Sequence, residues 1–178
     1  ADRAAAPLVA GNVACVALAP DGRHVAVSDG ARGETRLWRL RWRAPCSGRG
    51  RGRATLDASR VAIAGVGGDG GAQAREFSAD SATLVAASAG GVLRIIALDD
   101  DDDAGGGRDD DDDELPCVAR VVGEACAPAL GRAPVGALAL SPDGAWAAVA
   151  PATADAAAYL FRIDADGEAS EAMGGGTD

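Results

Sequence analysis

Apolar and polar residues alternate in short runs along three stretches of this chain, residues 13–40, 74–98 and 135–163, and each repeats one order of events. An alternating apolar run meets a four-residue turn (Ala19-Pro20-Asp21-Gly22, Ser78-Ala79-Asp80-Ser81 or Ser141-Pro142-Asp143-Gly144), and a second apolar run follows. A looser Gly/Ala/Asp turn then leads to a third run that closes on a large residue, Trp38, Ile96 or Phe161. A period of two puts successive side chains on opposite faces, so these runs predict strands; no stretch sustains the period of a helix. In the Pro-Asp-Gly turns proline presets φ and glycine tolerates positive φ, which makes the flanking runs antiparallel neighbours. Residues 13–19, 24–28 and 35–40 are read as consecutive strands of the first unit. Residues 55–66, with Val61, Ile63 and Val66 facing inward, are expected to open the second unit, and residues 116–122 the third.

The repetition extends to the spacing. Leu18, Phe77 and Leu140 each precede the turn, at nearly equal intervals along the chain. The stretches from these residues to Leu40, Leu98 and Ile163 are also nearly equal in length. Near-constant units on long connectors are the mark of a repeat architecture. The surplus length falls in two biased segments, an Arg-Gly insertion at 47–53 and an Asp-rich insertion at 99–114. The expected organisation is an N-terminal tail at 1–10, three β-units across 11–165 (about 11–46, 54–98 and 115–165), and a disordered C-terminal tail at 166–178. The aromatic residues track the repeats: Trp38, Phe77, Trp146, Tyr159 and Phe161 lie inside the stretches 13–40, 74–98 and 135–163, and only Trp42 falls outside them.

The strand–SPDG–strand–strand succession, closing on RLW or YLF, resembles the WD-repeat β-propeller family. The Gly-His expected near each blade start is missing, and Trp38-Arg39 stands where the family has Trp-Asp, so these are degenerate repeats. Within the family, FSADSATLVAASAGGVLRIIAL is similar to a blade of the cirhin group, the small-nucleolar-RNA-associated WD-repeat proteins of the small-subunit processome. LALSPDGAWAAVA is similar to the blade after it, and the stretch from VALAPDGRHVAVS to RLWRL occupies the place of the blade before. The resemblance covers less than half of the chain, in the right order, and does not reach either insertion. It implies an all-β fold, a partial WD-repeat β-propeller of about three four-stranded antiparallel blades. Closed propellers use roughly four to eight blades. The expectation is therefore part of a longer propeller, a truncated coding sequence, or an arc that a partner completes.

Charge changes this picture less than its total suggests. The net charge is −10, but residues 99–114 hold eleven acids and a single arginine, so the rest of the chain is close to neutral. Blocks of like charge repel one another and stay solvated, and nothing there fixes the six to eight oxygens of a calcium site. The segment reads as a solvated loop, with contact to a basic partner as the functional alternative. All 17 basic residues are arginine. Cys15, Cys46, Cys117 and Cys126 are too irregular for a disulfide framework or a zinc ribbon, and Cys15 sits in a strand pattern as a small buried hydrophobe. No apolar run reaches the ~18 residues needed to span a bilayer, and the N-terminal apolar stretch is too short for a secretion signal. An intracellular protein is the default expectation.

The candidate chemistry is sparse. Arg41, Arg43, Arg49, Arg51 and Arg53 form a flexible Arg-Gly run able to contact phosphates and stack on bases, against the plainer reading of a compositionally biased insertion. Asp164-Ala165-Asp166-Gly167 fails as an EF-hand, because Arg162 and Met173 would occupy the first and last ligand positions, and reads as a turn. His24, the only histidine, reads as a surface strand residue; no nucleophile motif or phosphate loop accompanies it. The resemblance implies a non-catalytic scaffold for protein, and RNA–protein, assembly in pre-ribosomal RNA processing and small-subunit biogenesis in the nucleolus. No cofactor, metal, membrane or small-molecule substrate is expected. The alternatives are a WD-repeat module of another complex, such as a ubiquitin ligase or the anaphase-promoting complex, and a lactonase-like propeller hydrolase. The hydrolase would need metal-binding Glu, Asn and Asp on a central channel.

Overall fold

The computed structural model of the chain describes residues 12–29, 35–43, 55–64, 72–88, 91–98, 118–126, 133–153, 157–164 and 169–171. Among them are twelve strands and no helix. β1 (Val13–Leu18), β2 (His24–Asp29), β3 (Thr35–Arg43) and β4 (Thr55–Ala64) pair in that order as an antiparallel meander, unit I. β5 (Ala72–Phe77), β6 (Thr83–Ser88), β7 (Val92–Leu98) and β8 (Val118–Cys126) repeat the arrangement as unit II. β9 (Val135–Leu140), β10 (Trp146–Pro151), β11 (Tyr159–Ile163) and β12 (Ala169–Glu171) form unit III. The inner strands β1, β5 and β9 lie side by side, so the sheets stack in sequence order.

Register confirms the repeat residue by residue. Leu18 pairs with Val25 and Val25 with Trp38; Phe77, Leu84 and Ile96 make the same row in unit II, and Leu140, Ala147 and Phe161 in unit III. Between units I and II the core is built from Ala26, Leu37 and Val61 on one side and Phe77, Leu84 and Ile96 on the other. Between units II and III it is built from Val85, Leu93 and Ile95 against Val135, Val149 and Phe161. Neighbours in sequence on β6 thus serve opposite interfaces, Leu84 toward unit I and Val85 toward unit III, and both are fully buried. A strand covered on both faces reads as a continuous apolar run, which is why 84–87 is Leu-Val-Ala-Ala. Each large apolar side chain buried in this way contributes about 1.5–3 kcal/mol.

Three expectations are corrected. Residues 55–64 do not open unit II; they pair with β3 from Leu37↔Val61 to Arg43↔Thr55 and close unit I. Residues 118–126 likewise close unit II, from Val92↔Cys126 to Leu98↔Ala119, so they do not open unit III. Apolar alternation in an outer strand is the same whichever neighbour it joins, and hydrogen-bond register decides. The C-terminal segment expected to be disordered supplies β12, hydrogen-bonded to β11 from Phe161↔Glu171 to Ile163↔Ala169. The blades are not wholly separate: residues 62–64 run past β3 and pair in parallel with residues 118–120, joining units I and II at their outer strands. The 1–10 tail and the insertions at 47–53 and 99–114 lie outside the described residues.

Candidate interaction surface

The three turns converge on one rim, and their chemistry is local. Ser78 Oγ donates to Asp80 Oδ1 at 2.5 Å while accepting from Thr83 N at 3.0 Å, and Asp80 Oδ1 also accepts from Ala82 N at 3.0 Å. Ser141, Asp143, Ala145 and Trp146 repeat this network in unit III. The last turn residue has positive φ each time: Gly22 at 72°, Ser81 at 64° and Gly144 at 70°. The serine hydroxyl first, and the backbone N–H second, hold the Asp80 and Asp143 carboxyls below the usual carboxylate range. Unit I has Ala19 in place of the serine, and Asp21 Oδ1 accepts from Arg23 N at 2.8 Å. Its turn is tied to the next through Asp21 N donating to Ser81 Oγ at 3.1 Å.

Behind the rim, units II and III part to leave a cleft of about 620 Å³. Asp80, Asp143, Asp164 and Arg120 edge it, with Thr83 and Ile163 also in its wall. Among the described residues no three His, Cys, Asp or Glu stand together at metal-binding separation. Closer to the inner strands the two units are joined by side chains of β5 that accept from the backbone of β9: Gln73 Oε1 from Val135 N at 2.6 Å, and Glu76 Oε2 from Leu140 N at 3.1 Å. These bonds satisfy N–H groups along an edge strand.

The outward faces of units I and III carry apolar side chains. On unit I, Val16 and Leu18 are 59% and 61% exposed; on unit III, Trp146 and Leu160 are 36% and 45% exposed. The equivalents of Leu18 and Leu160 in unit II, Phe77 and Ile95, are buried by the adjoining units. The repeat therefore presents at its two ends the same faces that it packs internally.

Of the five arginines expected to contact RNA, Arg41 and Arg43 belong to β3, opposite Asp57 and Thr55, and so are not part of a flexible run. The Arg41 side chain is exposed. Arg49, Arg51 and Arg53 lie outside the described residues. His24 is fully buried, contrary to the surface position expected for it. It is the second residue after the turn and the first of β2, equivalent to Thr83 and Trp146, and it shares the face of Ala26 that unit II covers; a single strand pattern does not show that its second face is also packed. Cys15 is half-buried and polar in its contacts, with Sγ donating to Ser28 Oγ at 3.3 Å. Sequence reasoning also passed over Arg75, which is 8% exposed at the interface of units I and II. Its signal was a break in the repeat: unit I has Val16 and unit III Leu138 at the equivalent position of the inner strand. Burial pulls the Arg75 guanidinium below its ordinary value, and charge on Cys15 opposes that shift.

No protein-family profile matches the chain, and comparison with curated proteins gives no match in sequence. Solved structures do match in shape. A protein from Bacteroides uniformis assigned as a 6-phosphogluconolactonase shares 18% identity over 89% of this chain and 39% of its own, with a TM-score of 0.54. Saccharomyces cerevisiae Sqt1 shares 14% identity over 93% of this chain and 35% of its own, with a TM-score of 0.55. KlAtg21, solved in complex with the coiled-coil of AgAtg16, shares 14% identity over 93% and 42%, with a TM-score of 0.55. The chain spans well under half the length of each, and at such identities the likeness is one of fold. Sqt1 and KlAtg21 are propeller-like, and the three stacked meanders have the fold of β-propeller blades.

Proposed function

We propose that this chain is a non-catalytic propeller scaffold that displays its rim and end faces to protein partners. The observation that carries this is the stack itself: most buried side chains are spent on joining one blade to the next, and polar groups gather on the exposed rim. KlAtg21, a neighbour in fold, was solved with a coiled-coil partner, which supports protein binding by this architecture. The finer reading rests on the resemblance of 74–98 and 135–163 to the cirhin group: assembly within a nucleolar pre-ribosomal particle, with RNA contact through the arginines at 41, 43, 49, 51 and 53. Its test is sedimentation of tagged full chain from its source cells, with pre-ribosomal RNA followed after depletion. Co-migration with small-subunit precursors and accumulation of unprocessed RNA are expected. A chain that sediments free of them, with RNA maturation unaffected, overturns the ribosomal assignment.

The similarity in fold to the lactonase-assigned protein favours a second reading, a propeller hydrolase. The inner strands argue against it. Among their described residues the only carboxylate is Glu76, whose Oε2 already accepts from Leu140 N, and the other side chains are mostly those of Ala, Val and Leu. Lactone hydrolysis by purified chain, lost on Glu76→Gln, would establish the enzyme and remove the scaffold reading.

A further inference from the structure

A row of three polar side chains crosses unit I on the face that unit II covers. Cys15 on β1 pairs with Ser28 on β2, and Ser28 with Thr35 on β3. Partners across a sheet stand about 5 Å apart on one face. Unit II has Ala74 and Ala87 where unit I has Cys15 and Ser28, so the polarity is a property of this interface and not of the repeat. Arg75 descends on the row from β5, its Nη2 donating to Thr35 Oγ1 at 2.5 Å. The residue is more than nine-tenths buried, yet its Nε and Nη1 have no hydrogen-bond partner among the described residues. Buried donors of this kind ask for an acceptor. A guanidinium prefers an anionic one, which it holds with its planar fork.

We propose that Cys15 is an oxidation site whose sulfenate is the anion that the unpartnered donors of Arg75 hold. The co-reactant is a hydroperoxide. Cys15 loses its thiol proton to solvent and the thiolate sulfur attacks the terminal peroxide oxygen. The S–O bond forms as the O–O bond breaks, and the departing oxygen takes up a proton and leaves as water or alcohol. The sulfenic acid so formed releases its O–H proton to solvent to give the sulfenate. Sulfur is oxidised by two electrons and the peroxide reduced by two. The new oxygen then accepts from the unused N–H groups of Arg75. Half-burial leaves Cys15 within reach of a small peroxide and of a small trapping reagent. Cys126 supplies the internal control, since it is exposed and sits on the outer strand β8.

The test exposes reduced full-length chain to limiting hydrogen peroxide, traps sulfenic acid with dimedone and compares the Cys15 and Cys126 peptides by mass spectrometry. Cys15 is expected to be labelled about tenfold more than Cys126 despite its lower exposure, the factor that one charge-assisted hydrogen bond is worth. Arg75→Leu, which installs the residue type found at the equivalent position 138, should erase that preference and leave Cys126 labelling unchanged. Arg75→Lys keeps the charge but not the fork, and should retain part of the preference with the fold intact. Equal labelling of the two cysteines, or a Cys15 preference that survives Arg75→Leu, overturns the proposal.

Discussion

Gly136 shows how closely backbones approach at the start of the third inner strand. A Cβ placed there would meet Ala152 Cα at 2.9 Å and Ala152 N at 3.1 Å, and that nitrogen already donates to Pro134 O at 2.7 Å. Nothing flexible can yield, so Gly136→Ala should destabilise by about 1–3 kcal/mol, the usual cost of overpacking. Gly22 differs: no atom lies within 4 Å of the place a Cβ would take, and only its φ of 72° resists substitution. Gly22→Ala should cost about 1–2 kcal/mol, by left-handed strain alone. Urea unfolding of the two variants measures both, and a Gly136→Ala chain as stable as the parent would refute the close approach. The rim carboxylates add a pH dependence. Asp80 and Asp143 titrate below their unfolded value, so their stabilisation is present above that value and is lost as pH falls through the lower, folded one. Ser78→Ala and Ser141→Ala should therefore lower the thermal midpoint more at neutral pH than in strong acid, where only the loss of the bonds from Thr83 N and Trp146 N remains. An effect of equal size at both pH values would detach the serine from the carboxylate's titration.

At the level of the strand, the blade stack predicts an unusual mutational pattern. In a sheet with one solvated face, truncating neighbours gives one large and one small effect. On β6, Leu84→Ala opens the interface with unit I and Val85→Ala the interface with unit III. Leu84→Ala should cost about 2–5 kcal/mol, and Val85→Ala somewhat less for its smaller volume, while Leu18→Ala at 61% exposure should stay within about 0.5 kcal/mol. Thermal melts of the three variants test this; a neutral result at either Leu84 or Val85 would mean that one face of unit II is not packed. Much of this was legible in sequence, because turns and alternation are local chemistry. Ser141-Pro142-Asp143-Gly144 fixes its hairpin within a few residues, and the triplet ending on Trp38, Ile96 or Phe161 marks one sheet row. What was not legible is which sheet a distant outer strand joins, as with β4 and β8. The packing that hides His24 and Arg75 was equally invisible, because a neighbouring blade supplies it from a distant part of the chain.

For the whole molecule, reassigning β4 and β8 moves the two charged insertions. They are hairpin connections between the third and fourth strands of units I and II, spanning residues 44–54 and 99–117, and they do not link one blade to the next. Unit III has a short version at 164–168. The third strands run beside the first turns, since Leu40 N donates to Arg23 O and Leu98 N to Ala82 O. Both insertions therefore leave from the rim that bears the aspartate turns, in equivalent places on adjoining blades. Five arginines between positions 41 and 53 and ten net negative charges in 99–114 depart from the same side of the stack. Attraction between charges in water is screened beyond about 10 Å at 0.1 M salt. On the proposed RNA contact, the acidic segment should compete weakly with nucleic acid for the arginines and release them as salt rises, while RNA binding itself weakens by counterion release. Deleting residues 99–114 should strengthen binding to single-stranded RNA at about 50 mM salt and matter progressively less toward about 200 mM. Changing Arg49, Arg51 and Arg53 together to alanine should weaken it and flatten the salt dependence by about two to three ions released. An anisotropy titration that neither change alters would make both insertions inert spacers and leave the blades as the protein's whole binding surface.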